Sequence, residues 1–450
     1  MNASDFGEDF HWGAAISAYQ TEGAYNLDGK GASIWDIFTQ SGKTKGSATQ
    51  ACDFYNRYMQ DIILLHYMNI RNFRFSISWP RVLPEGKGKV NHAGLDFYDR
   101  LIDFCLELDI APWVTLYHWD LPFALEQLGG WTNRNIIYWF EEYVRLCLDR
   151  FSDRVSNWMV LNEPLVFTGA GHFLGLHAPG RKGLSNFLPA MHHAALCQGI
   201  GGRLIQSYSG LRAGTTFSCA PVFPYSEHPS HQEAAATADI LLNRLFLEPL
   251  LGLGYPMAEW KLLQQVEKHM HGDDEKLMQC NMDFIGIQNY TREVVRYSPF
   301  IPFLNARTVN AVSRKVPVTD MGWEIYPEGI YQIIRKFSAY PGVRKLIVTE
   351  CGAAFPDKFI NEKVHDPARV VFYTEYLAEV LRAKRQGMPV EGFFAWSLLD
   401  NFEWAEGFSK RFGLVFVDYT TGRRYIKSSG HWYRQFLAAS VLSQSVAAAV

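Results

Sequence analysis

Eight apolar segments, each bounded by turn residues and separated from the next by stretches of helical spacing, constrain this chain more than any other feature. They fall at Phe10–Ala15, Asn72–Trp79, Ala111–His118, Val155–Asn162, Ala213–Ala220, Asp283–Tyr290, Lys345–Glu350 and Gly392–Leu398, and their length and bounding residues predict strands. Between them, Leu95, Tyr98, Leu101, Ile102 and Cys105 recur on one helical face, and Ile136, Ile137, Phe140, Val144 and Cys147 do the same. Strands alternating with helices imply parallel pairing through right-handed crossovers. Eight such units predict an α/β fold, a single (β/α)8 TIM barrel with its active site at the C-terminal ends of the strands. The competing architecture, an open doubly wound sheet, calls for a glycine-rich phosphate loop after an early strand. The nearest candidate, Gly199-Ile200-Gly201-Gly202, lies in a helical stretch and lacks the third glycine.

A barrel of this kind runs past the usual domain size as one unit, so residues 1–450 are read as one catalytic domain. Residues 440–450 are expected as a frayed tail, and Ser298 to Met321 as a long aperiodic loop after the sixth strand. The 48% hydrophobic content supplies a large core, and a formal charge of -3 gives no basic surface for a phosphate backbone. Nucleic acid is therefore not an expected partner. No apolar run reaches the roughly 18 residues a membrane span needs, and Met1 to Phe10 is acidic rather than signal-like. Seven scattered cysteines without a C-x-x-C pair read as free thiols of a cytoplasmic protein. The triplets Asn2-Ala3-Ser4 and Asn289-Tyr290-Thr291 match a glycosylation pattern by chance.

Placing the strands brings polar residues to one rim. Gln20 follows the first strand, Arg74 lies on the second, His118 ends the third, and Asn162-Glu163-Pro164 ends the fourth. Tyr290 ends the sixth, Thr349-Glu350 the seventh, and Trp396 lies on the eighth. The fourth and seventh strands face one another across an eight-stranded barrel, so Glu163 and Glu350 can flank one bond. Hydrolysing a glycosidic bond with retention requires such a pair, set about 5–5.5 Å apart. The 15% aromatic content, with 13 Trp, suits stacking on sugar faces as well as core filling.

These blocks resemble glycoside hydrolase family one, the β-glucosidase family, from Phe10 to about Tyr433. The resemblance rests on Phe10-His11-Trp12-Gly13-Ala14-Ala15 continuing to Ala18-Tyr19-Gln20-Thr21-Glu22-Gly23, and on Phe73-Arg74-Phe75-Ser76-Ile77-Ser78-Trp79-Pro80-Arg81. Asn162-Glu163-Pro164, Thr349-Glu350 and Trp396-Ser397-Leu398-Leu399-Asp400-Asn401-Phe402-Glu403-Trp404 complete it. It implies a retaining β-glucosidase acting on short β-glucosides, with Glu350 as nucleophile, Glu163 as acid/base, and Arg74 and Tyr290 supporting the nucleophile. It further implies that Asn162 binds the sugar 2-hydroxyl, that Gln20, His118, Glu403 and Trp404 bind the outer hydroxyls, and that Trp396 stacks beneath the ring. No cofactor and no metal are implied, and the adjacent His192 and His193 lack the i, i+4 spacing of a helical zinc site. The partner is a small-molecule glucoside or oligosaccharide.

Glu403 bears on the sugar, because a carboxylate there would accept bonds from the 4- and 6-hydroxyls and repel a 6-phosphate. The resemblance also marks three departures. Cys351 stands where the family has Asn after the nucleophile, Gln288 where Asn is common, and Leu245 where Trp is usual. Cys351 as an alternative nucleophile is disfavoured by its anionic neighbour, which suppresses a thiolate. On the aglycone side the candidates are Val166, Phe167, Phe173 and Trp323. The alternatives to a hydrolase are a sugar-binding protein on an inactivated barrel and an enzyme that mainly transfers the sugar to an alcohol.

Overall fold

A computed structural model describes residues 1–301 and 304–447, with side chains described through residue 438. Its centre is a closed barrel of eight parallel strands, each hydrogen-bonded to its neighbours in chain order. They are β1 (His11–Ala15), β2 (Asn72–Ser76), β3 (Ala111–Tyr117), β4 (Asn157–Asn162), β5 (Arg212–Ser218), β6 (Phe284–Gln288), β7 (Leu346–Cys351) and β8 (Val390–Trp396). Each of the eight predicted segments overlaps one of these strands, and most observed strands stop a residue or more short of the predicted C-terminal bound. At β2 the reason is local: Pro80 opens the short helix Trp79–Val82 as its second residue, so the backbone leaves the sheet at Ser76.

Alternation along each strand separates two cores. Phe73 and Phe75 of β2 and Phe393 and Ala395 of β8 point outward to the helices. Inside the barrel, Ala15, Trp113, Met159, Phe284, Ile347, Phe394 and Trp396 make a separate cluster. The interior closes because small residues stand opposite large ones: a Cβ on Gly13 would lie 2.3 Å from the Phe394 ring, so that ring occupies the space a side chain at 13 would need. The predicted helical faces pack as expected, in the helices His92–Glu107 and Ile136–Phe151. Gly199, Gly201 and Gly202 lie within the helix Leu184–Gln206. There a Cβ on Gly199 would meet the Leu277 and Met278 carbonyls at 2.3 and 2.4 Å, so these glycines serve close packing and no phosphate loop.

The aperiodic reading of 298–321 needs correction. Ala306–Thr308 is a strand antiparallel to Glu293–Tyr297, which in turn pairs in parallel with Val222–Pro224. A strand of only three residues, two of them exposed, leaves no period to read. The final helix spans Ser428–Ala447 and so enters the segment expected as a tail, whose residues 448–450 lie outside the described residues. No helix among the described residues is long and apolar enough to cross a membrane. Asn289 is buried and donates to the carbonyls of Cys219 and Thr291, so it is closed to a glycan.

Candidate active site

Each chemical group stands where its strand stops. Asn162 is the last residue of β4, and Glu163 follows with φ 46° and ψ 65°, a left-handed conformation unfavourable for a residue with a Cβ. Two anchors hold it there: its amide donates to the Thr216 carbonyl at 3.0 Å, and Pro164 begins the helix Pro164–Thr168. Trp119 (φ 79°) and Trp404 (φ 47°) are held in the same unusual region after β3 and β8, so backbone strain concentrates around one rim. Glu350 lies on β7, in register with Gln288 of β6.

The Glu350 carboxylate is enclosed by donors. Arg74 Nη1 reaches Oε1 at 2.5 Å, Gln288 Nε2 reaches the same oxygen at 2.8 Å, and the Tyr290 hydroxyl donates to Oε2 at 2.6 Å. Arg74 is fully buried inside the barrel, where its Nη2 also donates to Asn162 Oδ1 at 2.6 Å and its Nε to Thr115 at 3.2 Å. Three donors, from Arg74, Thr216 and Gln288, converge on Asn162 Oδ1 and thereby fix its amide. Asn162 Nδ2 consequently donates to His118 Nε2 at 3.0 Å. His118 is then the Nδ1–H tautomer, and burial followed by the Arg74 charge holds it neutral, with its pKa well below the ordinary value.

The two glutamates titrate as a pair, and their surroundings separate them. Burial lifts both above the usual carboxylate range. For Glu163 the Glu350 charge adds to burial and pushes it well up; for Glu350 the Arg74 guanidinium and the Tyr290 hydroxyl oppose burial. Glu350 therefore loses its proton first and Glu163 keeps its own. Arg74 and Tyr290 act on Glu350 in the expected direction, toward the anion, against desolvation, which is the largest influence.

Both carboxyls open on a cavity of about 390 Å³, which His118, Gln288, Tyr290, Trp396, Glu403 and Trp404 also line. Trp396 faces His118 at 6.0 Å between ring centres, and Trp404 packs against Trp119 at 4.4 Å and Trp35 at 4.6 Å. Gln20 does not line the cavity; its Nε2 donates to Asn401 Oδ1 at 3.1 Å and the Phe402 carbonyl at 3.0 Å and lies 3.4 Å from Glu403 Oε2, beside the cavity wall. Glu403 is pushed up to about 8, first by burial and then by the Glu350 charge. The repulsion of a 6-phosphate read from its charge must be revised accordingly, since below that pH the carboxyl of the empty site is neutral. The described lining contains Glu163, Glu293, Glu350, Glu403 and Glu406 and neither Lys nor Arg, so it offers a phosphate no counter-ion.

Of the aglycone-side candidates, Val166 and Trp323 line the cavity, and Trp323 stands 5.4 Å from Tyr290 and 6.1 Å from Phe412 between ring centres. Phe167 and Phe173 do not. Phe167 packs between Tyr117 and Trp131 at 5.1 and 4.9 Å, and Phe173 against Phe187 at 5.7 Å, because each follows the helical turn after Pro164 away from the rim. His177, Met321 and Phe412 line the cavity from loops, where no period announces them, and Leu242 lines it from the helical segment Ile240–Arg244. Cys351 faces outward into the helix-side core, and burial pushes its thiol well up, which removes it as a nucleophile. Leu245 is likewise core packing. His192 bonds Tyr255 and Asp274 while His193 bonds the Trp131 carbonyl, and no group of three metal-ligating side chains occurs among the described residues.

Comparison with known proteins places this geometry. A sequence profile of Glycosyl hydrolase family 1 matches residues 2–441. Beta-glucosidase A of Thermotoga maritima is 42% identical over 439 residues, covering 96% of this chain and 98% of that protein. Beta-glucosidase A of Acetivibrio thermocellus is 41% identical over 449 residues, covering 97% and 99%. The solved structure of a beta-glucosidase from Thermotoga maritima in complex with glucoimidazole superposes with a TM-score of 0.92 at 40% identity, covering 96% of this chain and 98% of that one.

Proposed function

The chain belongs to glycosyl hydrolase family 1, whose enzymes are retaining glycosidases, and from that premise we propose that it is a β-glucosidase using Glu350 as nucleophile and Glu163 as acid/base. The observation that carries the assignment of roles is the asymmetry of the two carboxyls. Glu350 is met by Arg74, Gln288 and Tyr290, all favouring the anion, whereas Glu163 meets the Glu350 charge and favours the acid.

In the first step the Glu350 carboxylate attacks the anomeric carbon while Glu163 gives its proton to the departing glycosidic oxygen. A glycosyl ester forms and the alcohol leaves. Esterification removes the negative charge that held the Glu163 proton, so its pKa falls and it becomes a base. Glu163 then takes a proton from water, the water oxygen attacks the anomeric carbon, and the Glu350 carboxylate is released. Two inversions give retention. The left-handed backbone at Glu163 matters here, because it turns the carboxyl from the strand end toward the cavity it shares with Glu350.

We assign Asn162 to the 2-hydroxyl, His118 and Glu403 to the outer hydroxyls with Gln20 beside Glu403, and Trp396 to the underside of the ring. Short β-glucosides such as cellobiose are the substrates this reading favours, with the cavity-lining Val166 and Trp323 assigned to the aglycone side. Seven buried cysteines, none in a disulfide, support a cytoplasmic location. Proton NMR of the first-formed sugar tests the function: β-glucose appearing before mutarotation agrees with double displacement, and α-glucose appearing first would exclude it.

A further inference from the structure

Gln288 ends β6 in register with Glu350 on one side and Ser218 on the other, and its side chain is fully buried. Its amide nitrogen lies 2.8 Å from Glu350 Oε1, 2.7 Å from Asn162 Oδ1 and 3.2 Å from Thr216 Oγ1. An amide nitrogen has two hydrogens, so the two shorter contacts take them, and both acceptors belong to the reaction site. The reverse orientation is excluded, because it would set the Gln288 carbonyl oxygen against the Glu350 carboxylate and against Asn162 Oδ1. That Asn162 oxygen is already fixed as an acceptor by Arg74 Nη2 at 2.6 Å and Thr216 Oγ1 at 2.9 Å. The Gln288 Oε1 has no donor from the described protein and is buried on a side chain that lines the cavity.

We propose that Gln288 is a positioning residue for the reaction, one amide that ties the attacking carboxylate to the side chain meeting the sugar 2-hydroxyl. The proposal rests on the functional reading above. Three consequences follow from the geometry. Glu350 gains a third donor, which favours its anion and makes it the better leaving group in the second step. Asn162 is held with Nδ2 toward His118, so its donor is set before the sugar arrives and costs no reorganisation. The two groups are also coupled, because displacing the Gln288 amide loosens both together. Asparagine, the residue common at this place in related chains, is shorter by one carbon–carbon bond, about 1.5 Å. From the same backbone it does not place its nitrogen between both acceptors.

The test compares the parent enzyme with Gln288→Met, which keeps the length and removes the amide, and Gln288→Asn, which keeps the amide and withdraws it. Each is assayed on nitrophenyl β-glucoside and on the corresponding 2-deoxyglucoside across pH, with thermal melting followed in parallel. The expected result is a fall in kcat/KM on the glucoside of roughly 10- to 100-fold, the usual effect of losing a hydrogen bond to a charged group. It is carried mainly by kcat and is several-fold smaller on the 2-deoxyglucoside, since the 2-hydroxyl contact strengthens in the transition state. The acid limb of the kcat/KM profile should move to higher pH in Gln288→Met, and less in Gln288→Asn. Equal losses on both substrates with an unmoved acid limb in either folded variant would overturn the proposal and leave a packing role. A parent enzyme that cleaves no glucoside would instead overturn the functional reading, and this inference with it.

Discussion

At the scale of single residues the decisive quantity is the order in which buried carboxyls lose protons. Glu163, Glu350 and Glu403 share one cavity, and each lies above the ordinary range because burial penalises its anion. Activity needs Glu350 ionised and Glu163 protonated, so kcat/KM should be bell-shaped, rising as Glu350 loses its proton and falling as Glu163 loses its own. Removing the Glu350 charge with Glu350→Gln should lower the Glu163 pKa, seen by carbon NMR of labelled glutamate; an unmoved titration would contradict the coupling. Replacing Glu163 with Ala should slow substrates with poor leaving groups by about 10²–10⁴-fold and activated aryl glucosides far less in the first step. Stability carries the same signature. Glu403 has a folded pKa raised from 4.5 to about 8, so its contribution is intact below 4.5 and lost as pH rises to 8. Glu403→Gln should thus melt increasingly above the parent across that interval, and a constant difference in melting temperature would count against it. Glu163 and Glu350 were legible because each closes an apolar run, whereas Glu403 was legible only through the family resemblance. Their order of titration was only half legible, since sequence displays Arg74 beside a carboxylate but not the depth of burial that competes with it.

At the scale of elements, strand ends are positioned by contacts that leave no room for a side chain. Gly352 follows β7 directly, and a Cβ there would lie 1.8 Å from the Trp396 carbonyl oxygen at the end of β8. Gly352→Ala must therefore push the nucleophile strand away from the strand carrying the sugar platform. We expect a loss of kcat approaching about 100-fold, the order produced by an ångström of misplacement, together with a lower melting temperature; crystallography of the variant would locate the shift. The Phe394 ring, seated on Gly13, gives a measure of the interior packing: Phe394→Ala should cost about 3–5 kcal/mol in denaturant unfolding. Such contacts explain what sequence conveyed. All eight strands were legible because a buried parallel strand is a continuous apolar run, whereas Ala306–Thr308, three residues long and mostly exposed, and the inward-lying loops carry no period to read. Phe167 and Phe173 misled for the same reason: an aromatic near the rim looks the same in sequence whether it faces the cavity or the core.

Over the whole molecule, the loops after β7 and β8 are locked to the final helix by a charge-balanced buried network. Lys427 Nζ reaches Asp357 and Asp400 at 2.6 Å each, Arg411 reaches Asp400 at 2.6 Å, and Arg369 pairs with Asp357 at 3.0 Å and with Asp366. Three cations meet three anions, and no single deletion leaves the balance intact. Lys427→Met should accordingly cost about 3–5 kcal/mol by leaving three carboxylates to two cations, one buried charge uncompensated, and it should loosen the β8 loop that carries Glu403 and Trp404. None of this network was legible, because its members are scattered from Asp357 to Lys427 and only the closed barrel brings them together. The barrel also sets β4 and β7 on opposite sides of one cavity, and on that the account of function depends. Azide rescue tests it most directly, with an activated aryl β-glucoside as substrate. Glu350→Gly should lose hydrolysis and, with azide, form the α-glucosyl azide, whereas Glu163→Ala should form the β-glucosyl azide. The same anomer from both variants, or full activity of Glu350→Gly without azide, would contradict the assignment of the two glutamates.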